Sequence, residues 1–201
     1  MIKLSDDFIA QMRHILPDEC DALLEAITTT DPSVAIRVND GRGISLSDDA
    51  VGRVPWCTTG RYLKERMPFT FDIDFQTGRY YVQDASSMFI HHVIKHVVKE
   101  PVRYLDLCAA PGGKTTTAIS ALPADSMVVA NEIMPARARV LHENIVKWGS
   151  PRCIVTNNAP HDLGKLHHFF DVVATDVPCS GEGMMRKDEE AVAQWTPALV
   201  K

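Results

Sequence analysis

The first thirty residues carry apolar positions at helical spacing. Phe8, Ile9, Met12 and Ile15–Leu16 line one face behind Ser5, a residue type that caps helices, and Pro17 ends the run. Cys20, Leu23, Leu24 and Ile27 repeat the spacing until Thr28–Thr30 breaks it. Val34-Ala35-Ile36-Arg37-Val38 then reads as a strand, closed by the turn signal Asn39-Asp40-Gly41. From Gly52 to Gly78 the period is lost among prolines (Pro55, Pro68) and aromatics, which predicts short strands and loops.

Beyond Asp84 helices and strands alternate. Residues 84–99 form a helix with Asp84 or Ser86 at its start and Met88, Phe89, Val93, Ile94 and Val97 on its apolar face. Val102–Leu107, Met127–Ala130, Cys153–Thr156 and Asp171–Thr175 are short apolar strands, and Pro135 opens a helix running to about Trp148. Such strands separated by helices predict a parallel sheet covered on both faces. The fold class is α/β, a Rossmann-like sheet preceded by a small α+β module, with a division into residues 1–78 and 79–201.

With 45% hydrophobic and 23% charged residues, the composition is that of a soluble globular chain. No apolar run has a membrane helix's length and the N-terminus lacks a signal-peptide pattern, so a cytoplasmic protein is expected. The five cysteines (Cys20, Cys57, Cys108, Cys153, Cys179) are scattered without a C-x-x-C pair, arguing against a disulfide framework and against zinc. The net charge of −5 does not by itself suggest nucleic acid. Residues 61–105 alone carry an excess of cations, 7 Lys/Arg against 5 Asp/Glu, so basic surface is expected around Arg61, Lys64, Arg66 and Arg79, with Arg186 and Lys187 further on.

The loop Cys108-Ala109-Ala110-Pro111-Gly112-Gly113-Lys114 follows a strand and opens a helix near Thr115. Small residues there let a ligand approach the backbone, and a helix N-terminus offers free N–H groups. A phosphate-binding Walker loop would need glycine where Cys108 stands, and the spacing G-x-G-x-x-G of dinucleotide folds is absent. The remaining candidate is S-adenosyl-L-methionine, whose carboxylate can meet the loop N–H groups and Lys114. The next strand ends at Asn131-Glu132, where a carboxylate can accept hydrogen bonds from a ribose diol; the alternative is that Glu132 caps the helix near Pro135.

The fourth strand leads into Asp176-Val177-Pro178-Cys179-Ser180-Gly181-Glu182-Gly183. Ligands in this topology sit beyond the carboxyl ends of the strands. A thiol there suits methylation of carbon: C5 of cytosine becomes nucleophilic once a thiolate has added at C6. Asp176 faces either the cofactor or the cytosine amino edge.

DLCAAPGGKT, ANE with Arg137 beyond it, and DVPCSGEGMMRKD with Trp195 together resemble the Fmu/Sun/nucleolar-protein family of RNA cytosine C5 methyltransferases, in its bacterial ribosomal RNA branch. The upstream YYVQDASSM resembles that family's lead-in helix, so the resemblance spans about residues 34–201. It implies cofactor binding by residues 108–114, Glu132, Arg137 and Asp176, an RNA partner, often ribosomal, and a target cytidine flipped out of its stack. Other readings are an inert cofactor- or RNA-binding module, and a DNA cytosine C5 methyltransferase, whose Glu-Asn-Val tripeptide is missing here.

Two departures stand out. Where the family has an acid after the third strand to hold adenine, this chain has Thr156-Asn157-Asn158-Ala159, leaving Asn158 as the substitute. The family uses two cysteines, an attacking one in a Thr-Cys motif and the Pro-Cys thiol for product release. Only the second, Cys179, has a counterpart here, with direct attack as its alternative role. Thr196 and Pro197 open a helix at the last residues, and the fourth strand would be an apolar edge, so the sequence reads as C-terminally incomplete.

His91, His92 and His96 share one helix without a supporting Cys or acid pattern, and read as packing or surface residues rather than metal ligands. Trp56, Tyr62, Phe69, Phe71, Tyr80 and Tyr81 could stack bases, although packing is the commoner use of such residues.

Overall fold

The computed structural model describes residues 2–43, 50–177 and 179–200. In chain order the elements are α1 (Asp6–Ile15), α2 (Cys20–Thr29), β1 (Val34–Val38), β2 (Ala50–Arg53), β3 (Gly60–Leu63), α3 (Ile73–Gln76), β4 (Tyr80–Val82), α4 (Phe89–Val97), β5 (Arg103–Asp106) and α5 (Gly113–Ala121). They continue as β6 (Met127–Asn131), α6 (Pro135–Trp148), β7 (Cys153–Thr156), α7 (Pro160–Leu163), β8 (Val172–Ala174) and α8 (Glu189–Gln194). Two compact units result, residues 33–176 and residues 1–32 with 177–201.

The larger unit holds two sheets. One is antiparallel in the order β2-β3-β1-β4; the other is parallel in the order β7-β6-β5-β8, as the sequence predicts for its α/β portion. Tyr104, Val128, Ala130, Cys153, Val155, Val172 and Ala174 face one side of the parallel sheet. They form a core with Ile94 of α4, Ala118 and Ile119 of α5, and Leu141, Ile145 and Trp148 of α6. The opposite face departs from the expected full cover. Leu105 and Val129 lie beneath Leu163, but their neighbours across the sheet, Ile154 and Val173, are each 53% exposed. The four-residue α7 is too short to reach both outer strands.

Three further differences have local causes. The α5 helix opens at Gly113 rather than near Thr115, because Gly112, at φ +111°, forms its N-cap. In α4 the buried positions are His91 and Ile94, following Met88, while Phe89, Val93 and Val97 are exposed. That stripe meets α5, and the more apolar positions lie on the other side. Residues 196–199 make only a turn, Leu199 N–H donating to the Thr196 carbonyl at 3.0 Å, since so short a segment cannot sustain a helix alone.

In the smaller unit Ser5 caps α1 as expected, accepting from Phe8 N–H at 3.2 Å. Its core joins Phe8 and Ile27 to Met185 and Trp195, with the Phe8 and Trp195 rings edge-on at 5.1 Å. The Arg186 guanidinium donates to the Thr30 and Asp31 carbonyls at 3.2 and 2.6 Å. It ties the two stretches of this unit together at one of the positions where basic surface is expected. Cys20 and Cys57 are buried, Cys108 and Cys153 half-buried, and Cys179 exposed.

Candidate cofactor and catalytic site

Residues 107–112 cross the carboxyl ends of β5 and β6, and side chains from α6 fix the loop's carbonyls. Arg137 Nη2 donates to the Ala110 carbonyl at 2.9 Å, and Asn144 Nδ2 to that of Pro111 at 2.8 Å, where Tyr81 Oη also donates at 3.3 Å. A trans peptide points its N–H opposite its C=O, so holding the Pro111 carbonyl against α6 turns the Gly112 N–H the other way. Gly112 allows the close seating: its φ is +111°, and a Cβ would come within 3.2 Å of Leu141 Cδ1. Gly113, Lys114 and Thr115 begin α5, so their N–H groups lack intrahelical partners and mark an anion-favouring point.

Glu132 stands at the tip of β6 with 2% exposure. The capping alternative is the one seen in the contacts. Oε1 accepts from Met134 N–H at 2.9 Å and so caps the entry to α6. Oε2 is one of three buried side-chain N or O atoms without a hydrogen-bond partner among the described residues, with Arg137 Nη1 at 3.4 Å. A buried carboxylate oxygen with this ion-pair contact but no hydrogen bond retains room for a donor, such as a hydroxyl pair on a ligand.

Asn131, one residue earlier, is fully buried and is the residue that pattern reading missed. Its Nδ2 donates to the carbonyls of Leu107 and Asn158 at 3.2 and 3.0 Å; its Oδ1 accepts from Thr156 Oγ1 at 2.9 Å and Asn158 N–H at 3.0 Å. One amide thereby clamps the loops after β5 and β7. Asn158 is held through its backbone and is exposed at the rim, whereas Asn157 Nδ2 donates to the carbonyls of Glu132 and Ile133 at 2.6 and 3.0 Å.

Lys114 and Asp176 form an ion pair at 2.6 Å, both about half exposed. The lysine expected to meet a ligand carboxylate therefore has a partner already, which a ligand would share. Asp106, at the end of β5, is 3% exposed and accepts from Thr115 Oγ1 at 2.6 Å. Burial raises its carboxyl pKa, the Thr115 bond opposes this, and the nearby Asp176 adds to it. The Cys108 thiol is likewise pushed up by desolvation and then by Glu132 and Asp106. A thiol held protonated among carboxylates suits the wall of a binding loop better than an attacking group. Ala109 supplies its N–H to the Asn131 carbonyl at 2.8 Å.

Arg37 is the second residue whose role the sequence hides. It lies fully buried in β1, where it donates to Gln83 Oε1 at 3.0 Å, to Thr116 Oγ1, and to Ser120 Oγ at 3.2 Å. Its guanidinium sits 4.4 Å from the Trp148 ring centroid. Burial lowers its pKa to about 10, still charged at neutral pH. It anchors the α5 helix, whose first turn carries the loop, onto the antiparallel sheet.

In the smaller unit, Cys179 is exposed and begins a segment held by Glu182. That carboxylate accepts from Ser180 Oγ at 2.5 Å and Trp195 Nε1 at 2.9 Å. Partial burial works to raise its pKa, but these bonds outweigh it and the carboxyl stays ionised more readily than a free glutamate. Pro178 lies outside the described residues.

His91 is packed in the interior, while the exposed rings of His92 and His96 are 4.0 Å apart. No group of three or more His, Cys, Asp or Glu among the described residues is placed to hold a metal. Nor is any helix among them long and apolar enough to cross a membrane. Five of the six candidate stacking aromatics are packed. Trp56 bonds the Ala85 carbonyl, Phe69 and Tyr80 share a core, Tyr62 backs another, and Tyr81 holds Pro111.

The loop and the acid meet at the carboxyl ends of β5 and β6, where a parallel α/β sheet offers its candidate ligand site. A family model described as 16S rRNA methyltransferase RsmB/F matches residues 95–201, and one described as the N-terminal domain of 16S rRNA methyltransferase RsmF matches residues 4–85. The chain belongs to the RsmB/F (Fmu/Sun) family. The ribosomal RNA small subunit methyltransferase F of Enterobacter sp. (strain 638) is 33% identical over 209 residues, covering 96% of this chain and 43% of that protein. The chain thus spans less than half the length of the curated relatives it matches. Among solved structures, PH0851 superposes with a TM-score of 0.84 at 22% identity, over 94% of this chain and 45% of that one. A methyltransferase homolog protein from Pyrococcus horikoshii gives 0.72 at 25% identity, over 94% and 64%. Both the resemblance carried by the motifs and the α/β fold class are borne out.

Proposed function

We propose that this chain is the S-adenosyl-L-methionine-binding portion of an enzyme that methylates C5 of a cytidine in ribosomal RNA in the cytoplasm. The observation that carries the reading is the open, buried Oε2 of Glu132 opposite the loop 108–114. Glu132 would accept from the ribose hydroxyls. The α5 N-terminus and Lys114 would receive the methionine carboxylate. Cys108–Gly113 would form the close-fitting wall, with Arg137 keeping it in shape, and Asn158 would meet the adenine edge. Asp176 would orient either Lys114 or the cytosine amino group.

The bound cofactor supplies an electrophilic methyl group on a sulfonium. The target carbon must be activated by a thiolate at C6 and later freed by loss of the C5 proton. Cys179, exposed on a segment braced by Glu182, suits the release step, and we infer that the attacking thiol comes from residues other than these. The division into an N-terminal module of residues 1–78 and a cofactor domain of residues 79–201 belongs to the same proposal. It follows the two family models more closely than it follows spatial compactness.

The test is covalent trapping on 5-azacytidine-substituted ribosomal RNA with S-adenosylmethionine, beside calorimetric cofactor binding. Cofactor binding without an adduct is expected from this chain. An adduct lost in Cys179→Ala would make Cys179 the attacking residue, and absence of cofactor binding would defeat the proposal.

A further inference from the structure

Phe71 is the one candidate aromatic that packing does not account for. It is 89% exposed, and Ile73, two residues on, is 74% exposed. Water-facing side chains of this size gain nothing from folding, yet the backbone that presents them is firmly held. Phe69 is buried among Ile36, Leu63 and Tyr80. Asp72 accepts from Tyr80 Oη at 2.6 Å and from Asp74 N–H at 2.9 Å, and Gln76 Nε2 donates to the Thr70 carbonyl at 2.8 Å. Gly78 completes the attachment: at φ +68° it lies so near α6 that a Cβ would overlap the Lys147 carbonyl.

Segment 69–77 contains two acids, Asp72 and Asp74, and no cation. Four cations from elsewhere reach it. Arg66 lies 5.9 Å from the Phe69 ring, Lys147 4.4 Å from the Phe75 ring, Arg79 pairs with Asp74, and Arg42 donates to the Thr77 carbonyl. Arg66 and Lys147, each beside an aromatic ring of this segment, are cations that a polyanion could use. An exposed aromatic ring on the same short segment suits an unpaired base, because stacking on a fixed ring loses little conformational entropy.

We propose that Phe71, backed by Ile73, is a rigid stacking pin for an unstacked base of the RNA, with Arg66 and Lys147 drawing in the flanking phosphates. This rests on the RNA reading of the function above.

The test is fluorescence anisotropy of the full chain with a labelled small-subunit ribosomal RNA transcript over a salt series, with sedimentation of the same samples. Phe71→Ala is expected to weaken binding roughly tenfold, and Phe71→Trp to retain it. Phe71→Leu should bind as poorly as Phe71→Ala, since leucine has bulk but no π face. The salt slope should be unchanged in all three and fall by about one in Arg66→Ala. Melting temperatures of the Phe71 variants should match the parent, given the exposure of that side chain. Equal affinity of Phe71→Ala and the parent overturns the pin and leaves the RNA reading intact, as does Phe71→Leu binding like the parent. A self-association lost in Phe71→Ala with RNA binding unchanged assigns the patch to a second copy. A parent chain that does not bind the transcript at low salt removes the RNA reading and the pin together.

Discussion

Asn131 grips the backbone of Asn158 at both of its polar atoms, donating to the carbonyl and accepting from the N–H, each at 3.0 Å. Because the same amide also reaches the Leu107 carbonyl, the loops after β5 and β7 are placed by one side chain. Asn131→Asp would set a carboxylate against two carbonyl oxygens in a site closed to water. A stability loss of about 3 kcal/mol is expected in chemical denaturation, with cofactor affinity falling in parallel.

Glu132→Gln separates capping from ligand binding. The amide oxygen can still accept from Met134 N–H, but an NH2 group replaces the open Oε2. Cofactor affinity should drop about tenfold or more by calorimetry, with a modest fall in melting temperature from the lost Arg137 ion pair. A variant that binds as tightly as the parent would remove the ribose role.

Among the described residues the buried charge of Arg37 is held by neutral oxygens of Gln83, Thr116 and Ser120 and by the Trp148 face. Arg37→Ala would leave Gln83 Oε1 with the Thr117 hydroxyl as its remaining donor and open a cavity beside Trp148. Destabilisation of about 3 kcal/mol is expected from urea unfolding. Arg37→Lys should recover only part of it, because an ammonium cannot reproduce the planar fork.

Asp106 gives the pH dependence a definite sign. Its folded-state pKa lies above the usual aspartate value, chiefly through burial, so the folded protein binds the proton more tightly than the unfolded chain. Its contribution is most favourable below the unfolded pKa and is lost as pH rises through the folded one. Asp106→Asn keeps an acceptor for Thr115 and carries no charge. The variant should melt higher than the parent at neutral pH, and the difference should vanish toward the acid limit. A gap that is constant with pH would contradict the buried-charge account.

Much of this was legible where the determinants are local. Val34–Val38 forms the predicted strand, and Pro135 opens α6, which ends at Trp148. The loop Cys108–Lys114 and Glu132 stand together at the ends of β5 and β6 because strand-loop-helix order dictates it. Arg37 was not legible: a charge within a strand suggests a solvent face, but β1 lies between β3 and β4 and is covered on both sides. The α4 face was misplaced because hydrophobicity favoured Phe89, Val93 and Val97, whereas contact with α5 selects His91 and Ile94. Asn131 carries no periodic signal, and its partners lie 24 to 27 residues away. The helix predicted at Thr196 has good capping residues, yet residues 196–199 form a single turn.

The smaller unit is assembled from distant stretches of chain, as the contact between Arg186 and Thr30, 156 positions apart, illustrates. During synthesis α1 and α2 leave the ribosome long before Met185 and Trp195 exist to cover Phe8 and Ile27. Until then the helix pair must wait with its apolar side open, while the sheets between can already form. Closing so long a loop is entropically costly and slow, so this small core should become protease-resistant only after the sheets between its two stretches.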